Sequence, residues 1–130
     1  MKRRRWIDPR ALLLLHAETL AEHGGLAGLR DAGAFEAALA RPQHIHAYEP
    51  SADAAWLAAA YGFGIVRDHP FNDGNKRAGF LAIGLFLAMN NYELVADPVE
   101  AIEIILALAP GDLTEEELEI WIRRCIVRNK

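Results

Sequence analysis

Cysteine is almost missing from this chain: Cys125 is the one thiol in 130 residues, so no internal disulfide can form and a reducing compartment fits. A lone cysteine of this kind reads as a packing residue. A surplus of positive charge is missing too. Lys and Arg number 14 against 18 Asp and Glu, a formal net charge of -4, and the molecule lacks the field that carries non-specific nucleic-acid binding. Direct contact with nucleic acid is therefore not expected. Long apolar runs are absent: Ala54–Val66 and Ala78–Met89 reach 13 and 12 residues, short of the roughly 17 to 25 that cross a bilayer. Leu12–Leu15 is too short for a signal-peptide core. These absences together predict a cytoplasmic protein without a membrane partner. Repeats, linkers and low-complexity tracts are lacking as well, which predicts one domain over residues 1–130.

What is present favours helix. Alanine and leucine are abundant and clusters of β-branched residues few, and a chain of this length can bury a real core. The expected fold is all-α, a compact bundle of about six helices. Lys2–Arg5 reads as a solvated basic tail. Asp8-Pro9 supplies a cap and a first-turn proline for a helix over Ala11–His23, which Gly24-Gly25 ends. Asp31 caps a short helix over Ala32–Ala40 that Pro42 closes, leaving His44–Pro50 as a loop or extended segment. Its His44 and His46 make a metal pair only with further ligands nearby. Helices over Ala54–Val66 and Asn75–Asn90 are apolar on every face and so buried all round, with Gly62, Gly64, Gly79 and Gly84 marking close backbone approach. Tyr92–Ala96 is an extended connection. Asp97-Pro98 begins a helix through Ala109, and Thr114 with Glu117 forms a capping box for the last helix, whose basic end includes Arg123, Arg124 and Arg128.

Between the two apolar runs lies Arg67–Arg77, reading R-D-H-P-F-N-D-G-N-K-R. A helix N-terminus gathers unsatisfied N–H groups and partial positive charge, which makes it an anion site before any side chain is counted. Gly74 permits a tight turn and close backbone approach there. Lys76 and Arg77 are cations at the dipole's unfavourable end, and a polyanion such as a phosphate chain reverses that sign. Asp73 is a carboxylate of the kind that holds Mg²⁺ beside phosphates, and is the metal ligand of the set. His69 can take a proton from an attacking hydroxyl, and Pro70 keeps it out of the α region. Phe71 is the apolar anchor of the loop. The bland alternative is a polar loop with an incidental histidine and two solvated cations.

The run H-P-F-N-D-G-N-K-R from His69 to Arg77 resembles the active-site motif of the Fic/Doc superfamily, and in particular its Doc branch of toxins from toxin-antitoxin modules. G-G-L-A-G-L-R-D from Gly24 to Asp31 and A-L-A-R-P-Q from Ala38 to Gln43 resemble Doc-type sequence too. The Fic enzymes that transfer AMP typically have glycine where Lys76 stands. The resemblance therefore implies a kinase that moves the ATP γ-phosphate to a Ser or Thr hydroxyl of a protein, for Doc elongation factor Tu, and so arrests translation. It implies ATP and Mg²⁺ as cofactors and a Phd-like antitoxin as partner. In this reading His69, Asp73, Lys76 and Arg77 are catalytic, and Arg67, Phe71, Gly74, Asn75, Lys76 and Arg77 form the cofactor-binding set. His44–Glu49 falls where the family has a flap that aligns the target by strand-type pairing. Ala78 stands where threonine is common, and Leu81 where Doc has a polar residue. The alternatives are a Fic-type nucleotidyl transferase and a non-catalytic binding module.

Overall fold

Helix starts in this chain are written mostly in short polar side chains. Asp8, Asp31, Asp53, Asp97 and Thr114 each accept a backbone N–H from the first turn that follows. In the computed structural model, which describes residues 3–129, these caps open α1 (Pro9–His23), α2 (Ala32–Tyr48), α3 (Ala54–Asp68), α5 (Pro98–Leu108) and α6 (Glu115–Cys125). A sixth helix, α4 (Asn75–Met89), starts on Gly74 with no side-chain cap. The strands β1 (Tyr92–Leu94) and β2 (Ile126–Arg128) complete the order. The fold is all-α, and the capping box of Thr114 and Glu117 is closed in both directions.

The core is built around α3, which packs against α2, α4 and α6. Ala55, Leu57, Ala58, Ala59, Tyr61, Ile65 and Val66 are fully buried, as an all-apolar helix requires. Helices α3 and α4 touch through glycine. A Cβ built on Gly62 would lie 2.5 Å from Ile83 Cδ1, and one on Gly79 would lie 2.6 Å from Val66 Cγ2 and 3.1 Å from the Gly62 carbonyl oxygen. Gly64 is less tight, with its nearest neighbour Ala38 Cβ at 3.6 Å.

Several expectations are corrected. Helix α4 is not buried all round: Lys76, Arg77, Phe80, Gly84 and Ala88 are exposed, and nothing lies within 4 Å of where a Gly84 Cβ would be. An apolar run had concealed a solvent-facing stripe. Pro42 does not end α2. It sits within the helix with its ring buried, while Ile45 beyond it packs against the core and the Arg41 guanidinium grips the Glu115 carboxylate at 2.5 and 2.6 Å. Tertiary packing on both sides of the proline outweighs its local penalty. His44–Tyr48 is accordingly helical, with Glu49 as its C-cap, and offers no extended flap to a target chain.

The Tyr92–Ala96 connection contains the first strand of an antiparallel pair, Tyr92 opposite Arg128 and Leu94 opposite Ile126. Arg128 thus belongs to a strand and not to the end of the last helix. The N-terminal basic run is solvated at Arg3 and Arg5, as expected, but the chain is tied down from Arg5 onward. Asn90 holds the Arg5 backbone from both sides, Trp6 stacks on Phe86, and the Ile7 N–H meets the Tyr61 hydroxyl. Lys2 lies outside the described residues. Among the described residues no helix is long and apolar enough to cross a membrane.

Candidate active site

The polar stretch is shorter than its sequence suggests. Arg67 and Asp68 form the last turn of α3 and Asn75 to Arg77 the first turn of α4, so the loop is only residues 69–74. His69 ends α3 in the left-handed conformation, φ 50 and ψ 56. Pro70 does exclude right-handed helix there, but the outcome is a left-handed cap and not an extended residue, a conformation in which histidine is among the enriched residues. Its ring is exposed, with Nδ1 3.3 Å from the Arg67 carbonyl oxygen.

A second loop, residues 24–31, supports the first from beside. Arg30 donates from Nε to the His69 carbonyl at 2.8 Å and from Nη2 to the Asp68 carbonyl at 3.1 Å, answering carbonyls that the end of α3 leaves unpaired. The Pro70 carbonyl accepts the N–H groups of Arg30 and Asp31, Leu29 bridges to Phe71, and Asn72 is bonded to Gly28 and Ala27. The G-G-L-A-G-L-R-D block is thus the mould in which the motif loop sets.

Inside, Phe71 is 1% exposed, stacked on the His16 ring at 3.8 Å and edge-on to Phe35 at 5.5 Å. It anchors the loop to the core and is closed to a ligand. The buried Asn75 side chain accepts the Phe71 N–H at 2.9 Å and donates to the Phe71 carbonyl at 3.0 Å. Its place in the expected phosphate-binding set is therefore changed: Asn75 fastens the loop across the start of α4.

Asp73, Gly74, Lys76 and Arg77 remain open. The Asp73 carboxylate is exposed and accepts the Leu26 N–H through Oδ2 at 2.7 Å; its Oδ1 has no partner among the described residues. Gly74 is left-handed, φ 74 and ψ 28, a conformation that selects glycine, and a Cβ there would sit tightly, 3.1 Å from His16 Nε2. A left-handed residue followed by right-handed helix curves successive N–H groups around one concavity, an anion nest. The Lys76 and Arg77 side chains are exposed and make no hydrogen bond or ion pair with the described residues. Arg67, by contrast, pairs with Asp68 at 3.0 Å and lies 5.0 Å over the Phe63 ring. That pair is half exposed and weak, so it can be exchanged for a phosphate partner.

From Lys76 and Arg77 a groove of about 700 Å³ runs between α4 and α5, lined by Phe80, Leu94, Ile102, Ile105 and others of their kind. His69 and Asp73 do not line it. Sequence reasoning missed this groove because it follows from the exposed stripe of α4. It also missed His16 and Arg30. His16 is legible only as a polar interruption of the Leu12, His16, Leu20 face of α1, all three buried. Ala78 is fully buried and Leu81 half-buried.

A partner-poor carboxylate, two free cations and a nest that welcomes negative charge suit a phosphate chain with a divalent ion, and Asp73 Oδ1 is the oxygen open to that ion. Comparison with known proteins identifies relatives of the chain. The family model described as the Fic/DOC family matches residues 6–87. Over 120 residues, 92% of this chain and 94% of the relative, the sequence is 33% identical to a protein of Escherichia phage P1 named Protein kinase doc. Over 78 residues, 57% of this chain and 58% of the relative, it is 40% identical to a protein of Mycolicibacterium smegmatis named Toxin Doc.

Proposed function

The chain belongs to the Fic/DOC family, and on that footing we propose that it is a Doc-like toxin kinase, moving the γ-phosphate of ATP to a Ser or Thr hydroxyl of a protein target. Elongation factor Tu is the proposed target, arrested translation the result, and a Phd-like antitoxin the restraint. The observation that carries this reading is Lys76: a free cation on the first turn of α4, next to the uncapped left-handed Gly74, in the position where AMP-transferring relatives have room for phosphate.

In this reading the nest at Gly74 and the ammonium of Lys76 hold phosphate oxygens, joined by the guanidinium of Arg77. These groups neutralise charge that grows on the transferred group and its leaving oxygen. His69 accepts the proton of the attacking hydroxyl as its oxygen bonds to the γ-phosphorus and the bond from that phosphorus to the β–γ bridging oxygen breaks, releasing ADP. Asp73 Oδ1 would hold Mg²⁺, which when bound would draw charge from the phosphate chain. The apolar groove beside Lys76 and Arg77 suits a nucleoside, a flat body with an apolar face next to its phosphates.

The experiment is incubation with cell extract and ATP labelled at either the γ or the α phosphate. Label reaching a protein from the γ position alone is expected. Transfer from the α position alone would replace this reading with nucleotidyl transfer by the same base and cation site. Transfer of neither, with growth unaffected by expression, would leave a binding module.

A further inference from the structure

His16 lies outside the motif and outside the loop that moulds it, yet it touches two residues of the motif, Phe71 and Asp73. It is 2% exposed on the inner face of α1, its ring stacks on Phe71, and its Nε2 is 2.8 Å from the Asp73 carbonyl oxygen. A carbonyl oxygen only accepts, so Nε2 carries the hydrogen and donates it. The Asp73 carbonyl and the Gly74 N–H lie in one trans peptide plane and point in opposite directions within it. Drawing the carbonyl inward to His16 therefore turns the Gly74 N–H outward, away from the buried ring. That N–H is the first of the nest on which α4 opens.

We infer that His16 is a positioning residue for phosphate binding: its Nε2–H fixes the Asp73–Gly74 peptide so that the Gly74 N–H faces the ligand. The inference rests on the reading of this mouth as a phosphate site. A hydrophobic residue of equal size would preserve the packing on Phe71 but leave the Asp73 carbonyl without its donor, free to turn. A side chain at Gly74 would press on the same ring, because a Cβ there would lie 3.1 Å from His16 Nε2.

Two variants separate donation from packing. His16→Phe keeps a ring against Phe71 and removes the donor. His16→Gln removes the ring and keeps an N–H near the Nε2 position. Calorimetric titration with Mg²⁺ and ATP is expected to show His16→Phe weakened about tenfold or more, the scale of one hydrogen bond to a charged group. His16→Gln is expected to stay within about threefold of the unaltered protein, and a purely structural role would not give that rescue. If the unaltered protein binds ATP and His16→Phe binds it equally well, the positioning role is overturned while the phosphate site stands. If the unaltered protein binds none, the phosphate reading falls and this inference with it. Should His16→Phe not fold, nitrogen NMR of the unaltered protein decides. Protonation at Nε2 and a shift of the Gly74 amide on adding ATP support the inference; protonation at Nδ1 alone, or an unmoved Gly74 amide, overturns it.

Discussion

At the scale of single residues, chemistry and stability are held by different groups, and this allows them to be probed separately. His69 has an exposed ring and a left-handed backbone. Asparagine tolerates that backbone and cannot act as the base, so His69→Asn is expected to lower transfer by about 10² to 10⁴ while the melting temperature holds. A radiolabel transfer assay beside a thermal melt checks both halves. Asp73 serves twice, through Oδ2 to the Leu26 N–H and through the open Oδ1. Asp73→Asn keeps an oxygen for Leu26 but loses the charge. It should fold normally while its ATP affinity no longer rises when Mg²⁺ is added, as measured by titration with and without the metal.

The motif was readable because its residue types are few and adjacent, and because each open side chain needs only its own chemistry to suggest a role. His16 and Arg30 were not readable in this way. Each acts on the loop across dozens of residues of sequence, through a carbonyl oxygen, and carbonyls leave no trace in the letters of a chain. Asn75 misled for the same reason: its partners are both backbone groups of Phe71.

At the scale of elements, the caps made helix starts plain, while ends and exposed faces were harder to read. Proline is a reliable stop only where packing does not hold the helix together, and α2 is held on both sides of Pro42. An unbroken apolar run cannot say which of its faces meets solvent, so the sequence of α4 reads as a buried rod while the helix is a half-open one. Its glycines now divide by neighbourhood. Gly79→Ala would push a methyl into Val66 and the Gly62 backbone, and should destabilise by about 1 to 3 kcal/mol. Gly84→Ala meets nothing and should stabilise by about 1 kcal/mol, the helix-propensity difference. Chemical denaturation of the two variants, five residues apart on one helix, is expected to give shifts of opposite sign.

At the scale of the whole molecule, a charge link joins the central helix to the last one. Asp53 caps α3 through the Trp56 N–H and also receives two hydrogen bonds from Arg123 of α6, which is held by Glu119 as well. The Arg123 guanidinium is the main reason that the Asp53 carboxyl titrates below its usual value of 3.8, and Arg123 is correspondingly held in its charged form. The folded value is the lower one. The contribution of this carboxylate is therefore complete above about pH 4 and is lost as pH falls through the folded value. Melting temperatures from pH 6 to pH 2.5 should fall less steeply for Asp53→Asn than for the unaltered protein; equal slopes would show that other carboxylates govern acid unfolding.

The turn that closes α4 has one more consequence. Asn90 grips the backbone of Arg5, and the neighbouring Asn91 carbonyl accepts the N–H of Asn129, so residues 124 positions apart in the chain are fastened to adjacent links. Connectivity can then be rewired without moving a helix. A short flexible linker between the two ends, with new termini opened in the exposed bend at Gly111-Asp112 between α5 and α6, should give a circular permutant with the parent's circular dichroism and ATP binding.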